Sequence, residues 1–264
     1  MKRAYSLLVL LWLTCPFLFS QDYLVLYRQN VGQPISIPLS EIECVLHDND
    51  SVQTIVTKNG TIETPILEID SLIFVSIHKC LDENHPHLID LGLPSGTKWA
   101  CCNVGAGVPE ELGGFFAWGE TVEKNHYALD NYAYLDENDK YFLLEEDIAG
   151  TAYDVSCVNW GGLWRMPSDE QINELLDYCT CKWFSLNNVC GILVTGSNGA
   201  TIFLPAAGYS RDDTIGAIGS GGNYWSSTVH PQNNDAFGLY FDSEGCYRGF
   251  SSRYDGRSVR AVCE

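Results

Sequence analysis

The sequence predicts an α+β protein, mostly strand with one well-marked helix, preceded by a small β-rich duplicated unit. Three observations carry that prediction: an internal duplication near the N-terminus, a helix-start signal at Ser168, and paired strand-like runs from Val189 onward.

The duplication comes first along the chain. Pro38-Leu-Ser-Glu-Ile-Glu43 and Pro65-Ile-Leu-Glu-Ile-Asp70 align with an offset of 27 residues. An alternating run precedes each copy, Tyr23-Leu-Val-Leu-Tyr27 or Val52-Gln-Thr-Ile-Val-Thr57, and a short apolar run follows it, Cys44-Val45 or Leu72-Ile-Phe-Val-Ser76. Lys58-Asn-Gly-Thr61 is a hairpin signal, because Asn-Gly accepts the positive φ of a type I′ turn. That hairpin also accounts for the Asn59-Gly-Thr61 sequon. A single such unit cannot bury a face alone, so the two are expected to pack together over 22–80. The polar, Pro-interrupted stretch 81–87 reads as a linker. The main domain is then 88–264.

Within the main domain, Ser168 and Gln171 form a capping box, and Ile172, Leu175, Leu176 and Cys179 follow at helical spacing. A shorter helix is expected over 153–159, and Pro109-Glu-Glu-Leu112 is a place to start a helical turn. Ile192-Leu-Val-Thr195 and Ala200-Thr-Ile-Phe-Leu204 flank Gly196-Ser-Asn-Gly199 as a hairpin. Phe237-Gly-Leu-Tyr-Phe241 and Cys246-Tyr-Arg-Gly-Phe250 flank Asp242-Ser-Glu-Gly245 in the same way. Between these hairpins, 210–223 reads as a long Gly-rich loop, a kind of segment that often carries function.

Bulk composition narrows the function classes. The chain has 264 residues, 45% hydrophobic and only 19% charged, which excludes general disorder. Thirty-four Asp and Glu face 15 Lys and Arg. Sequence-independent nucleic-acid binding needs cationic surface, so no nucleic-acid partner is expected. Solubility is the simplest use of the acidity. Lys2 and Arg3 precede an apolar run from Leu7 to Phe19 that Pro16 interrupts. That run is shorter than a membrane span of ~20 residues and reads as a signal peptide over 1–20, cleaved near Ser20-Gln21. Lipoprotein processing at Cys15 is the disfavoured rival, because Trp12-Leu-Thr-Cys15 lacks the usual Gly or Ala before the cysteine. No transmembrane helix is expected downstream. The mature protein is expected outside the cytoplasm: at the cell surface, in the periplasm, or secreted. Eleven cysteines suit an oxidising compartment and disulfides. Cys101-Cys102 and Cys179-Thr-Cys181 are not the C-x2-C pairs that zinc sites usually show, so no metal is expected.

Seven ordered blocks carry a family resemblance: Asp90 to Ala106, Phe115-Phe-Ala-Trp-Gly-Glu-Thr121, Asp147-Ile-Ala-Gly-Thr151, Trp160 to Pro167, Phe203-Leu-Pro-Ala-Ala-Gly208, Tyr224 to Thr228, and Gly256 to Val262. Through them residues 88–263 resemble the Fibrobacter succinogenes major paralogous domain, a module of exported proteins in gut Gram-negative bacteria. The resemblance implies a fold related to C-type-lectin-like domains and formylglycine-generating enzymes. Arg165-Met-Pro-Ser168 and Gly256-Arg-Ser-Val-Arg260 would match their helix start and closing strand. It also implies a disulfide between Cys102 and Cys179. Residues 22–80 look like the short repeats found before this module.

Chemistry is sparse. The calcium-binding triplets of C-type lectins are not intact at Trp225-Ser-Ser or His230-Pro-Gln-Asn-Asn-Asp235. Asp136-Glu-Asn-Asp139 has Tyr141 where a calcium loop needs Gly. Cys246 and Cys263 would have to be the copper-binding pair of a formylglycine-generating oxidase, but a staple between terminal strands explains them better. No histidine sits in a nucleophile arrangement, no phosphate-cradling Gly motif is present, and no cofactor is expected. Recognition surface remains: Arg211, Asp212, Asp213 and Tyr224 around the long loop, with Asn233, Asn234 and Asp235 in the next. Trp99, Trp118, Trp164 and Trp225 are expected in the core, and Arg165, Arg257 and Arg260 packed inside. The expected function is a non-catalytic binding or adhesion module for a glycan or protein ligand. A structural subunit of a surface assembly is the alternative, and the oxidase a more distant one.

Overall fold

Pro38 and Pro65 adopt the same backbone, φ −55° with ψ 131° and φ −56° with ψ 131°, and each opens a single 3-10 turn. The proline ring sets φ, and the matching ψ shows that the duplicated sequence is a duplicated structure. The computed structural model describes residues 20–29, 33–48, 52–78 and 87–263. It divides into two units, one within Met1–Lys79 and one within Cys80–Glu264. Residues 1–19, expected to be most of a signal peptide and containing Cys15, lie outside the described residues, as do Cys80 and residues 81–86 of the expected linker.

The first unit contains β1 (Ser20–Arg28), β2 (Ile35–Pro38), β3 (Ile42–Asp48), β4 (Val52–Thr57), β5 (Gly60–Pro65) and β6 (Ile69–His78). Each copy pairs its first two strands antiparallel, β1 with β2 and β4 with β5. The third strand then crosses to the other copy: β3 joins β4 and β6 joins β1, giving sheets β2-β1-β6 and β3-β4-β5. The registers match in detail. Val45 lies opposite Ile55 and Leu72 opposite Leu26, and each ladder has its irregularity just after the 3-10 turn, between Ile42 and Cys44 or between Ile69 and Ser71. Neither copy completes a three-stranded sheet by itself. Leu24, Ile37 and Ile55 centre the core, with Ile35, Val45, Ile62 and Leu72 around them. The β4–β5 hairpin forms where expected, but its turn residues are Lys58 and Asn59, and Gly60 supplies the unusual φ of 151°. The double positive φ of a type I′ turn occurs instead at Asn187 (49°) and Asn188 (67°).

The second unit starts with β7 (Leu88–Asp90) and β8 (Lys98–Ala100). From 101 to 154 its only regular element is a 3-10 turn at Leu129–Asn131. Pro109 opens a simple turn, closed by Glu111 N donating to Val108 O at 3.2 Å. Then come α1 (Val155–Trp160) and α2 (Asp169–Tyr178). Asp154 caps α1, its buried carboxylate accepting from Ser156 N, Cys157 N, Gly150 N and Met166 N. The capping box of α2 is present, Ser168 Oγ accepting from Gln171 N at 3.2 Å and Gln171 Oε1 from Ser168 N at 2.9 Å. Ile172, Leu175, Leu176 and Cys179 of this stretch face the core. The strands that follow are β9 (Thr180–Leu186), β10 (Val189–Thr195), β11 (Thr201–Pro205), β12 (Tyr209–Arg211), β13 (Thr214–Gly216), β14 (Gly221–Val229), β15 (Asp235–Asp242), β16 (Gly245–Ser252) and β17 (Val262–Cys263). They form separate small sheets, β7-β8-β17, β9-β10-β11, β12-β13 and β14-β15-β16.

This architecture corrects the expected fold class. Among the described residues strand accounts for 47% and helix for 11%, so the described chain is mostly β, in small sheets, and an α+β C-type-lectin-like fold is not shown. The physical reason is that helical periodicity is confined to two short stretches, while the strands pair as local hairpins. The supposed loop 210–223 is also mostly strand. Arg211 pairs with Thr214 across a two-residue turn, and β14 already begins at Gly221. Just before it the chain folds tightly on itself. Gly208 has φ 72°, and a Cβ there would lie 1.9 Å from the Gly216 carbonyl oxygen.

Tryptophans hold the sequence blocks together. Trp99, Trp118 and Trp225 are fully buried, whereas Trp164 is half-buried and packs edge-on against Trp160. Trp118 Nε1 donates to Ser226 O at 2.9 Å, and Trp225 Nε1 donates to Phe116 O at 2.8 Å. The blocks 115–121 and 224–228 are thereby locked reciprocally. Val104, Ile148, Met166 and Val259 of four further blocks join the same cluster.

Candidate functional site

The C-terminal arm 253–260 organises the second unit, and it does so with buried charge. Arg253, Asp255, Arg257 and Arg260 are all buried. A buried charge is tolerated only when paired, hydrogen-bonded or laid against π faces. Arg260 meets this condition with three acceptors, Asn103 Oδ1 at 2.9 Å, Ala100 O at 3.0 Å and Phe203 O at 2.8 Å. Arg253 donates to Tyr132 Oη, Phe142 O and both oxygens of Asn233, and its guanidinium lies 4.6 Å from the Trp118 ring centre. Arg257 donates to Asp255 at 3.2 Å. Its Nε and Nη1 have no hydrogen-bond acceptor, but the Trp225 and Tyr240 rings lie 4.9 and 5.0 Å from it.

Two surface segments hang on this arm. The first is the β12–β13 turn. Arg211 forks onto Asp255, Nε to Oδ1 at 2.8 Å and Nη2 to Oδ2 at 2.7 Å, and this bond holds the guanidinium above its ordinary pKa. Asp212, at φ 51°, exchanges both backbone hydrogen bonds with Tyr127. Asp213 is exposed and accepts from His126 Nδ1 at 2.8 Å, while Asp130 lies 3.4 Å from His126 Nε2. The second segment is the turn before β15. Asn233, at φ 61°, donates through Nδ2 to Tyr141 O and accepts from Arg253, and Asn234 O accepts from Arg253 N. Between the two segments runs a tyrosine-rich stretch. Tyr132 packs on Tyr134 and Tyr141, each at 5.7 Å, and Tyr254 of the arm joins Tyr127 and Tyr132 in the same cluster.

Of the residues predicted from sequence to contact a ligand, Asp212, Asp213 and Asn234 are exposed. Arg211 is half-exposed but committed to Asp255. Asn233 is a scaffold residue, and Asp235 is buried at the start of β15. Tyr224 is core: its hydroxyl donates to Pro205 O at 2.7 Å and accepts from Asn103 at 3.0 Å, and burial pushes its pKa up to about 12. Sequence reasoning missed Arg253, Asp255 and the 126–142 stretch. The available signal was the alternation Arg253-x-Asp255-x-Arg257, charges spaced as on one side of an extended chain.

No disulfide joins any two of the described cysteines, so the expected pairs Cys102–Cys179 and Cys246–Cys263 are not made here. The Cys102 thiol lies 3.8 Å from the Cys101 thiol and donates to Ala106 O at 3.3 Å. Cys246 packs at the margin of the same core cluster as Cys181, and Cys263 sits on β17 opposite Lys98. Among the described residues no cluster of His, Cys, Asp or Glu is placed to hold a metal ion. No helix among them is long and apolar enough to cross a membrane. Comparison of the chain with known proteins returned no matching family, no matching curated protein and no matching solved structure.

Proposed function

We propose that this chain is an exported, non-catalytic recognition module that binds a glycan or protein ligand through the surface made by 126–142, 211–213 and 233–234. One observation carries the reading: the buried arm 253–255 fastens both turns from beneath, through Asp255 to Arg211 and through Arg253 to Asn233. Arg211 and Asn233 are tied to the arm, so His126, Asp130, Asp212, Asp213 and Asn234 are displayed on a held backbone. Such preorganisation lowers the ordering cost of binding. The signal-like N-terminus and the resemblance of the seven blocks to an exported module support the same reading.

The test is a glycan array run beside a panel of extracellular proteins, with the folded chain and its variants. Asp130→Lys with Asp213→Lys is expected to weaken any ligand found by about tenfold or more, whereas Tyr247→Ala on β16 leaves binding unchanged. Blank panels with folded protein, or binding indifferent to the double variant, would overturn the proposal. The alternative, a structural subunit, draws on the first unit: Phe74 on the edge strand β6 is 68% exposed. Exposed apolar edge strands favour self-association. Light scattering of the full chain and its Phe74→Lys variant decides it.

A further inference from the structure

The sheets β9-β10-β11 and β14-β15-β16 share one core. Ile192 and Val194 of β10 and Leu239 and Phe241 of β15 pack in the same cluster. Cross-strand register carries that facing arrangement out to the edges. On β9, Cys181 lies opposite Val194; on β16, Cys246 lies opposite Phe241. Both cysteines belong to the margin of that cluster, and β9 and β16 touch. Each strand is the edge of its own sheet, so no ladder joins them.

We propose that Cys181 and Cys246 are a disulfide-forming pair that staples β9 to β16 when the chain meets a disulfide oxidant. The Cys181 thiolate attacks one sulfur of a donor disulfide, forming a mixed disulfide and releasing the donor's other sulfur as a thiolate. The Cys246 thiolate then attacks Cys181 Sγ, closing the protein disulfide and releasing the donor's second thiolate. The two protein thiols lose two protons and two electrons, and the donor disulfide takes up both electrons as its two thiols form. The order follows from the pair's mutual influence, which lowers the pKa of Cys181 against its burial and raises that of Cys246. The two cysteines are 65 positions apart in the chain.

The experiment treats the folded full chain with oxidised glutathione, blocks remaining thiols, and digests it without reductant. The expected product is one cross-linked peptide containing Cys181 and Cys246, lost in Cys181→Ser and in Cys246→Ser and retained in Cys263→Ser. Reduction is expected to lower the melting temperature by on the order of 10 °C, from the entropy of a loop of this length. Alkylation of both cysteines in the oxidised, folded protein would overturn the proposal, as would a Cys246–Cys263 cross-link. If a serine variant fails to fold, the digest of the unaltered chain decides alone. None of these outcomes depends on the ligand, so the staple and the recognition reading fail separately.

Discussion

The two units reach order by opposite routes. In the first, two copies of one pattern exchange their third strands, and its described buried polar residues, Gln53 and Thr64, carry no charge. In the second, a stretch of more than fifty residues has almost no regular structure, and Arg253, Asp255, Arg257 and Arg260 are buried in its midst. Alternation and burial suffice where strands repeat, because each added pair buries more of the same face. Irregular backbone has no ladder to satisfy its carbonyls. Arginine, with five donors on one planar group, can satisfy several at once. Arg253 does so for Phe142 and Asn233, residues about ninety positions apart. Charge is thus the glue of the second unit and incidental to the first.

The largest expected effect breaks the second unit at its charge balance. Asp255→Ala removes the only carboxylate partner that Arg257 has among the described residues and releases Arg211. Leaving a buried guanidinium unpaired costs about 3–5 kcal/mol, read as a lower urea midpoint. A loss below ~1 kcal/mol would mean that the aromatic faces alone hold Arg257, and the contrast between the units would be weaker than drawn.

The next effect tests the first unit's symmetry. Leu26 and Ile55 occupy equivalent positions, each fully buried and each facing a strand borrowed from the other copy. Leu26→Ala and Ile55→Ala should each cost about 3 kcal/mol and agree within ~1 kcal/mol. Because the copies are interlocked, either change should accelerate amide exchange in both sheets. Faster exchange confined to the sheet carrying the substitution would show that the strand exchange does not couple them.

The contrast also explains what could be read in the sequence. The 27-residue offset, the hairpins and the Ser168–Gln171 capping box are local patterns, and each is found in place. The 210–223 stretch was misread because Tyr209–Arg211 and Thr214–Gly216 are too short to show alternation, and Gly208, Asp212 and Ala217 turn the chain through positive φ. The fold class failed for a related reason: the later strands close into small sheets of neighbouring hairpins, and nothing in a hairpin's own sequence shows that no larger sheet gathers them. At the candidate surface, Asp212, Asp213 and Asn234 were legible because polar turns are exposed. Tyr224 was not, since an amphipathic side chain reads alike as contact or core until Asn103 and Pro205 are seen to hold its hydroxyl. Arg253 was invisible because its partners, Tyr132, Phe142 and Asn233, are scattered along the chain.

The smallest effect concerns charge at the surface of the second unit, where it should matter least. The hydrogen bond to Asp213, aided by its charge and that of Asp130, raises the pKa of exposed His126 above its ordinary 6.5. Folding therefore favours the protonated ring. This contribution is fully present below the unfolded-state pKa and is lost as pH rises through the higher folded-state value. An NMR titration of His126 should give a midpoint above 6.5, and Asp213→Asn should move it down by removing the largest cause. Amides of the β12–β13 turn should exchange faster above that midpoint, while those of the buried arm stay unchanged, since Asp255 and Arg211 keep their fork at either pH. If the arm loosened together with the turn, surface and buried charge would be one network, and the division between incidental and structural charge would have to be redrawn along the chain from His126 to Arg257.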